Sequence, residues 1–406
     1  MALDYTYQKK SIWSYKEFTF LLSASLLLGI GNKIYELLLP LIMYDLSNGS
    51  SIVITSMRTA ELLPNLFFGI FVGVIVDRVN KKKWAIWMIL LQALVLIGLF
   101  LMVKDGLYKP IIYYLLGFTL MTLNYGFFNT QVSLIKLSVP LNMLTSANAK
   151  FSFVETFVSI MGPVFLGFVL FFAEKADGIL VTVILYSISF ILIKSLSIQE
   201  VKNAGTRGSF WSDLLDGWNA FKENILLRTM TFYIIILNCT MTVVSTTVLI
   251  FGTTNLNMSQ SSLSLILSAG GIGGLLGSVT VNWLRERYKL GIVFGLGIFL
   301  NAISYLGLFF TNDSWFFALS LLLNGYSTTI YIICAYTFRH EQTPVNLMGR
   351  IAGLTGTLFR TGMPIAMLLS GWMIKEWGAS SVFISAAIIN LLVFLFYKKS
   401  LLWNIK

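Results

Sequence analysis

Residues Gly73–Lys83 read GVIVDRVNKKK and separate two long apolar stretches of the chain. More than twenty mostly apolar residues precede this segment, and another apolar run begins at Trp84. One acid and four bases fall within seven residues: Asp77, Arg78, Lys81, Lys82 and Lys83. A short cationic turn between two apolar stretches of this length is typical of two membrane spans joined in the cytoplasm.

Asp77 is unusual in this turn because it falls at the carboxyl end of a predicted helix, where the helix dipole disfavours an anion. It therefore needs a base or the amino end of another helix as a partner, unless it is an incidental acid in a positive-inside turn. Gly73, Asp77, Arg78, Lys81 and Lys82 match the pattern G-x-x-x-D-R-x-x-[RK]-[RK]. This resembles the loop between spans two and three of the major facilitator superfamily, although Asn80 replaces the usual glycine.

The composition is that of a membrane protein. Hydrophobic residues make up 56% of the chain and charged residues 12%, and the mean hydropathy is +0.79. The net charge of +11 does not indicate nucleic-acid binding, because the bases fall in turns between apolar runs. With one histidine, and with both cysteines in apolar runs, we expect no metal site, disulfide or cofactor.

Apolar runs of about 20 residues, the length that a bilayer crossing requires, predict an all-α integral membrane protein with twelve spans. The predicted spans lie near 18–44, 52–76, 84–103, 111–135, 150–173, 178–197, 229–251, 260–283, 290–310, 315–338, 350–374 and 379–397. With both termini inside, 22 of the 29 Lys and Arg residues fall on the cytoplasmic side and 4 outside. This bias predicts a multi-pass protein of the cell membrane with cytoplasmic termini.

An internal repeat is indicated by pairs of residues 204 positions apart. These pairs are Gly69 and Gly273, Gly73 and Gly277, Pro140 and Pro344, Gly167 and Gly371, Lys81 and Arg285, and Lys83 and Arg287. We therefore predict two six-span halves, 1–197 and 229–406, joined by a cytoplasmic linker at 198–228. The same offset places Val281 opposite Asp77, so only one acidic turn is expected.

The linker contains apolar residues at helical spacing. They are Trp211, Leu214, Leu215, Trp218, Phe221 and Ile225. We expect an amphipathic helix that lies on the inner membrane surface or packs on other cytoplasmic loops.

Span five contains Gly162, Pro163 and Gly167, which predict a bent and closely packed helix. The element resembles a reduced form of the G-P-x-x-x-G pattern of proton-driven drug exporters, and Gly362, Pro364 and Gly371 repeat it in span eleven. Residues 138–149 and 341–356 resemble the corresponding loops of the macrolide-efflux-like branch, the third drug:proton antiporter family. Span four lacks the arginine that many such exporters carry there.

Charged residues inside spans are costly and indicate function. Lys33 and Glu36, and likewise Arg58 and Glu61, are three residues apart and can form pairs on one helix face. We expect Arg58 and Glu61 to neutralise each other near the outer end of span two. For Lys33 and Glu36 we expect a role in the central cavity, with a structural ion pair as the alternative.

Glu155 and Arg360 have no obvious partner along the sequence. They could pair across the two halves or act as gate residues. The candidates for proton or substrate binding are therefore Lys33, Glu36, Glu155 and Arg360.

The resemblance implies a secondary transporter rather than an enzyme. We expect a monomer that exports small hydrophobic or amphipathic drugs or natural products across the lipid bilayer by alternating access. Proton antiport would drive transport, and export of antibiotics by this route would confer resistance. An importer or exchanger on the same fold, and a lipid translocase or immunity protein, are the alternatives.

Overall fold

The computed structural model describes residues 11–172, 174–198, 210–343 and 348–405. In the first half, the helices are α1 (Lys16–Leu46), α2 (Ser51–Arg78), α3 (Lys81–Lys104), α4 (Pro110–Ser138), α5 (Leu144–Phe172) and α6 (Lys175–Lys194). The linker contains α7 (Phe210–Glu223). The second half contains α8 (Ile225–Thr254), α9 (Gln260–Arg287), α10 (Leu290–Phe310), α11 (Ser314–Glu341), α12 (Met348–Leu358), α13 (Met363–Trp377) and α14 (Ala379–Lys398).

Twelve membrane crossings result from these helices. Within the described residues, ten helices are individually long and apolar enough to span a bilayer. The eleventh crossing is α2, whose 28 residues are long enough to span a bilayer. The twelfth is formed by α12 and α13 together, since their 11 and 15 residues are too few to cross separately. The predicted all-α fold with twelve spans in two six-helix halves is confirmed.

Both ends of the twelve-span bundle lie on the same face of the protein. We call the face at which α1 begins and α14 ends the terminal face, and the other the opposite face. The predicted topology makes the terminal face cytoplasmic.

Asn80 has a structural role at the start of α3. Its side-chain oxygen accepts a hydrogen bond from the backbone N–H of Lys83 at 2.8 Å, so Asn80 caps this helix. The residue that departs from the superfamily pattern therefore stabilises the turn in another way.

The repeat has two offsets rather than one. Helices α1, α2 and α3 begin at 16, 51 and 81, whereas α8, α9 and α10 begin at 225, 260 and 290, an offset of 209. Helices α4, α5 and α6 begin at 110, 144 and 175, and α11, α12 and α14 at 314, 348 and 379, an offset of 204. The sequence pairs at 204 therefore hold only for the last three crossings of each half.

Several predicted equivalences are corrected by the offset of 209. The pairs Gly69–Gly273, Gly73–Gly277, Lys81–Arg285 and Lys83–Arg287 are wrong by five positions. Asp77 corresponds to Glu286, which is exposed at the end of α9, and not to Val281. Each half thus has an acid beside an arginine at the end of its second span. Gly167 and Gly371 remain equivalent, whereas Pro344 lies outside the described residues.

The linker helix α7 packs against the terminal-face ends of α8 and α12. Phe221 is buried in the core of the second half, whereas Leu215 and Trp218 are exposed. The side chains of Trp211 and Leu214 lie outside the described part of the structure. Ile225 is the first residue of α8, so the second half begins four residues before the predicted boundary at 229.

The two halves are packed together at the opposite face. Ser51 Oγ of α2 donates a hydrogen bond to the carbonyl of Gly371 in α13 at 3.0 Å. Among the described residues, the buried apolar side chains of the first half continue into the second half only near the opposite face, for example at Phe251 and Phe383. Near the terminal face the second half has a separate apolar cluster, which includes Phe294. Among the described residues, the apolar contact between the halves is therefore concentrated near the opposite face.

Candidate functional site

A cavity of about 400 Å³ lies in the first half and collects the four predicted site residues, Lys33, Glu36, Glu155 and Arg360. Its described walls come from α1, α2, α4 and α5, and Arg360 is the one described lining residue from the second half. The lining extends to within seven residues of the terminal-face ends of α4 and α5, at Gln131 and Phe151. This depth and position suit a site that is reached from the terminal face.

Aromatic and amide side chains line much of the rest of the cavity. Tyr125, Phe127, Phe128 and Phe151 provide flat apolar surface. The amides are Asn32, Asn65, Asn124 and Gln131. Such a lining accommodates a planar apolar body and orients it by a few polar contacts.

Four charged side chains form one network between α1 and α2. Lys33 Nζ lies 2.9 Å from Glu36 Oε2, and Arg58 Nη2 lies 3.4 Å from Glu36 Oε1. Arg58 Nη1 also lies 2.7 Å from Glu61 Oε2. The hydroxyl of Tyr35 donates a hydrogen bond of 2.5 Å to Glu61 Oε1. The two pairs that the sequence suggested are therefore joined through Arg58.

The network is electrically neutral, with two bases and two acids. Its exposure is graded, since the side chain of Glu61 is 4% exposed and that of Glu36 is 42% exposed. Glu36 thus faces the cavity while two cations hold it as a carboxylate. All four residues belong to the first half, so a rigid-body movement of the halves does not separate them.

Glu155 is placed differently from Glu36. It lines the cavity from α5 and is exposed there. Within the described residues it has no hydrogen bond or ion pair, whereas Glu36 has two cationic partners. A carboxyl without a cationic partner is the one that can change its protonation state most readily.

Arg360 lies where the crossing formed by α12 and α13 is interrupted. The helix stops after Leu358 and restarts at Met363, where Pro364 follows in the first turn. Asn238 Nδ2 of α8 donates a hydrogen bond of 3.0 Å to the carbonyl of Phe359, which the break leaves without a helical donor. The predicted continuous span 350–374 is therefore corrected to two helices.

The interruption directs Arg360 toward the first half. Its Nη1 donates a hydrogen bond of 2.7 Å to Asn65 Oδ1 of α2. Arg360 also lines a second cavity of about 220 Å³ within the second half, beside Asn238 and Tyr331. It consequently stands between one cavity of each half, next to a broken helix of the kind that forms ion and substrate sites in transporters.

Gly162 provides space for Lys33. A Cβ atom at Gly162 would lie 2.8 Å from the Cβ of Lys33 and closer still to its Cγ. Helix α5 continues through Gly162 and Pro163 without interruption, so the helix break occurs in the equivalent crossing of the second half instead. Proline lacks an N–H group, so the carbonyl of Ser159, which lines the cavity, has no helical donor.

Gly167 lies at the contact between the halves. A Cβ there would be 3.3 Å from the Cβ of Ser264 in α9. Further along the same pair of helices, a Cβ at Gly271 would be 2.6 Å from the Cα of Ile160. Small residues thus allow α5 and α9 to approach closely.

The acidic turn between α2 and α3 lies at the terminal face. Lys81 and Lys82 begin α3, and Lys81 Nζ donates to the carbonyl of Val79 at 3.2 Å. The side chains of Asp77 and Arg78, and of residues 348–350 at the start of α12, lie outside the described residues. A contact between Asp77 and a base or the amino end of another helix therefore stays a prediction.

The second half has a polar network without charges. Asn390 Nδ2 of α14 donates a hydrogen bond of 2.7 Å to Asn301 Oδ1 of α10. Thr240 of α8 donates to Asn390 Oδ1 at 2.9 Å, and Asn301 Nδ2 donates to Thr328 Oγ1 of α11 at 3.0 Å. Four helices are thereby joined at completely buried amides.

Sequence reasoning missed the neutral partners in both halves. Asn65, Asn238 and Tyr35 carry no charge, and lone asparagines or tyrosines in apolar runs are common. A usable signal was the presence of asparagine in spans, because a buried amide needs hydrogen-bond partners. The partners themselves lie on other helices and cannot be identified from spacing.

Comparisons with known proteins agree with this architecture. Residues 231–402 match the family model described as Major Facilitator Superfamily. The crystal structure of the nucleoside transporter NupG superposes with a TM-score of 0.77, over 96% of this chain and 100% of that chain, at 13% identity. The chain has the major facilitator fold.

Another structure with this fold is described as a bacterial homologue of the iron transporter ferroportin in an inward-facing state. It superposes with a TM-score of 0.74, covering 95% of this chain and 99% of that chain, at 13% identity. At such identities the likeness concerns the fold alone.

A curated relative is the enterobactin exporter EntS of Escherichia coli O127:H6. It is 29% identical over 118 residues, which is 29% of this chain and 28% of the relative. The match therefore spans little more than a quarter of the exporter's length. Like the family model, this match covers less than half of the chain.

Proposed function

We propose that the protein exports drugs or small natural products across the cytoplasmic membrane by alternating access, driven by proton antiport. The observation that carries this proposal is the single cavity that collects Lys33, Glu36, Glu155 and Arg360. Membrane-embedded charge is expensive unless it serves binding or coupling. The macrolide-efflux-like branch is the family assignment that we propose within the superfamily.

The direction of transport is proposed from two features. The excess of Lys and Arg, 22 against 4, favours a cytoplasmic terminal face, and the cavity lining extends toward that face as far as Gln131 and Phe151. A site accessible from the cytoplasm can take up its substrate there and release it outside. The partial similarity to an exporter supports this direction.

Glu155 is the residue that we propose for proton exchange. An antiporter needs a carboxyl that faces the substrate cavity and gains or loses a proton as substrate leaves or binds. Glu36 meets the first condition, but Lys33 and Arg58 both favour its charged form. Glu155 faces the same cavity without such partners, so proton and substrate can compete for it.

Transport into inverted membrane vesicles tests the proposal. Vesicles that contain the protein should accumulate fluorescent drugs when their interior is acidified, and they should lose this accumulation when the gradient is collapsed. Glu155→Gln should abolish the gradient dependence. Accumulation that is independent of the gradient would contradict antiport, and uptake only in the reverse direction would favour the importer.

Orientation is tested separately by thiol labelling. Asp105 follows α3 at the opposite face and is exposed, whereas Lys289 precedes α10 at the terminal face. An impermeant maleimide should label Asp105→Cys in intact cells, and Lys289→Cys only after lysis. The reverse pattern would place the cavity opening outside and remove the argument for export.

A further inference from the structure

Two charges of the cavity remain uncompensated when the ion pairs are counted. The network of Lys33, Glu36, Arg58 and Glu61 sums to zero. Glu155 has no ionic partner within the described residues, and the guanidinium of Arg360 is hydrogen-bonded there only to the neutral amide of Asn65. One free acid from the first half and one free base from the second half therefore face the same space.

Uncompensated charges are unfavourable in a membrane-embedded cavity. Asn65 can solvate the guanidinium of Arg360 but cannot neutralise it. A ligand that supplies one cation and one anion would neutralise both residues, and the aromatic wall formed by Tyr125, Phe127 and Phe128 would hold its apolar part. A singly charged ligand would leave one residue uncompensated.

We propose that the transported substrates are amphoteric, with a cationic group that binds Glu155, an acidic group that binds Arg360, and a planar apolar body between them. This inference rests on the proposed transport function and deepens it. Arg360 belongs to the second half and Glu155 to the first, so one amphoteric substrate contacts both. Its binding thereby favours closure of the halves around the cavity.

Direct pairing of Glu155 with Arg360 is the main competing account. In that case the two residues attract each other when the cavity closes, and the charge of the substrate has no influence. The two accounts differ in how single substitutions act on ligands of different charge. A set of dyes that share one scaffold separates them.

The probes are three xanthene dyes of similar size: an unalkylated rhodamine with a free carboxylate, its methyl ester, and fluorescein. At neutral pH they are amphoteric, cationic and anionic, respectively. Binding to the purified full-length protein in lipid nanodiscs is followed by fluorescence anisotropy, which requires neither a proton gradient nor a known direction of transport. The wild type should bind the amphoteric dye about tenfold more tightly than either other dye.

The substitutions should give a crossed pattern. Glu155→Gln should weaken the amphoteric dye and the ester about tenfold and leave fluorescein unchanged, whereas Arg360→Gln should weaken the amphoteric dye and fluorescein and leave the ester unchanged. Glu376→Gln and Arg287→Gln, which remove exposed charges outside the cavity, should change nothing.

Equal losses for all three dyes would overturn the proposal in favour of direct pairing. Absence of binding, or no preference of the wild type for the amphoteric dye, would also overturn it. Neither result would decide the export proposal, because the vesicle assay tests it with drugs and does not use these dyes. Conversely, failure of gradient-driven accumulation would reject antiport and leave the binding result intact.

Discussion

The two halves join their helices through buried polar side chains, but the first half uses ion pairs and the second uses neutral hydrogen bonds. In the first half, Lys33, Glu36, Arg58 and Glu61 join α1 to α2 by ion pairs. In the second half, uncharged Asn301 and Asn390, with Thr240 and Thr328, join α8, α10, α11 and α14. The charged network borders the cavity of about 400 Å³, whereas the two asparagines of the neutral network are completely buried between helices.

This comparison distinguishes side chains that hold the helices together from side chains that are available to bind a proton or a substrate. A buried amide network satisfies its own hydrogen bonds and has no means of carrying a proton. The four charges of the first-half network likewise neutralise one another. Among the described charged residues that line the cavity, Glu155 and Arg360 are outside the ion-pair network, so our proposal gives them the exchange of proton and substrate.

The largest effect on stability is expected at Arg58. Its removal leaves Glu36 and Glu61 as two acids with one base, and Glu61 is almost completely buried. Breaking such a buried pair costs about 3–5 kcal/mol, so Arg58→Met should lower the thermal unfolding temperature strongly. Intrinsic tryptophan fluorescence during heating in detergent measures this temperature.

A double substitution provides the control for Arg58. Arg58→Met with Glu61→Gln leaves the neutral pair Lys33–Glu36, so most of the lost stability should return. If the two substitutions simply add their costs, the charges do not act as one network, and the contrast with the second half disappears.

A smaller effect is expected at Gly162, where space rather than charge is limiting. Gly162→Ala places a methyl group against Lys33 and should displace it from Glu36. Overpacking of this kind costs about 1–3 kcal/mol. Stability and drug transport should both fall.

Two variants give this prediction its specificity. Gly98→Ala in α3 meets no atom within 4 Å and should have no adverse effect. In a Lys33→Ala background, Gly162→Ala should cost less, because its closest clash, with the Cγ of Lys33, is removed. Equal costs in both backgrounds would show that Gly162 serves only the shape of α5.

The smallest effect is expected in the neutral core of the second half. Asn390→Leu removes the hydrogen bonds to Asn301 and Thr240. Side-chain hydrogen bonds between membrane helices contribute about 0.6 kcal/mol each, so unfolding should shift only slightly. Gradient-dependent transport in vesicles should keep its proton stoichiometry, and a loss of coupling would contradict a purely structural role for the network of Asn301 and Asn390.

Composition and charge distribution were sufficient to predict the twelve spans and the two halves, because long apolar runs and positive turns follow directly from the bilayer. The exact repeat was not predictable from identical residues. Glycines recur by chance in a chain with 32 of them, and the pairs at 204 assigned Asp77 to Val281 instead of Glu286. The correct offsets between the two halves are obtained by comparing the helix boundaries and not by matching identical residues.

The candidate residues of the cavity could be predicted because ionisable groups are rare in spans. The ion pairs and hydrogen bonds that connect them to neighbouring helices could not be predicted. Arg58 appeared to belong to Glu61 alone, since spacing reveals partners on the same helix but not on the neighbouring one. Likewise, Gly162–Pro163 and Gly362 suggested similar bends in α5 and in the equivalent crossing of the second half. Helix α5 is continuous, whereas the crossing formed by α12 and α13 is broken. At the break, Asn238 donates a hydrogen bond to the carbonyl of Phe359.

Proton release on substrate binding tests most directly the claim that the partnerless acid, and not the paired one, exchanges the proton. A transported drug is added at saturating concentration to purified protein in weak buffer with a pH indicator. The wild type and Lys33→Met with Glu36→Gln should release a proton, whereas Glu155→Gln should release none. Release from Glu155→Gln together with its loss in the double variant would contradict the account and assign the proton to Glu36.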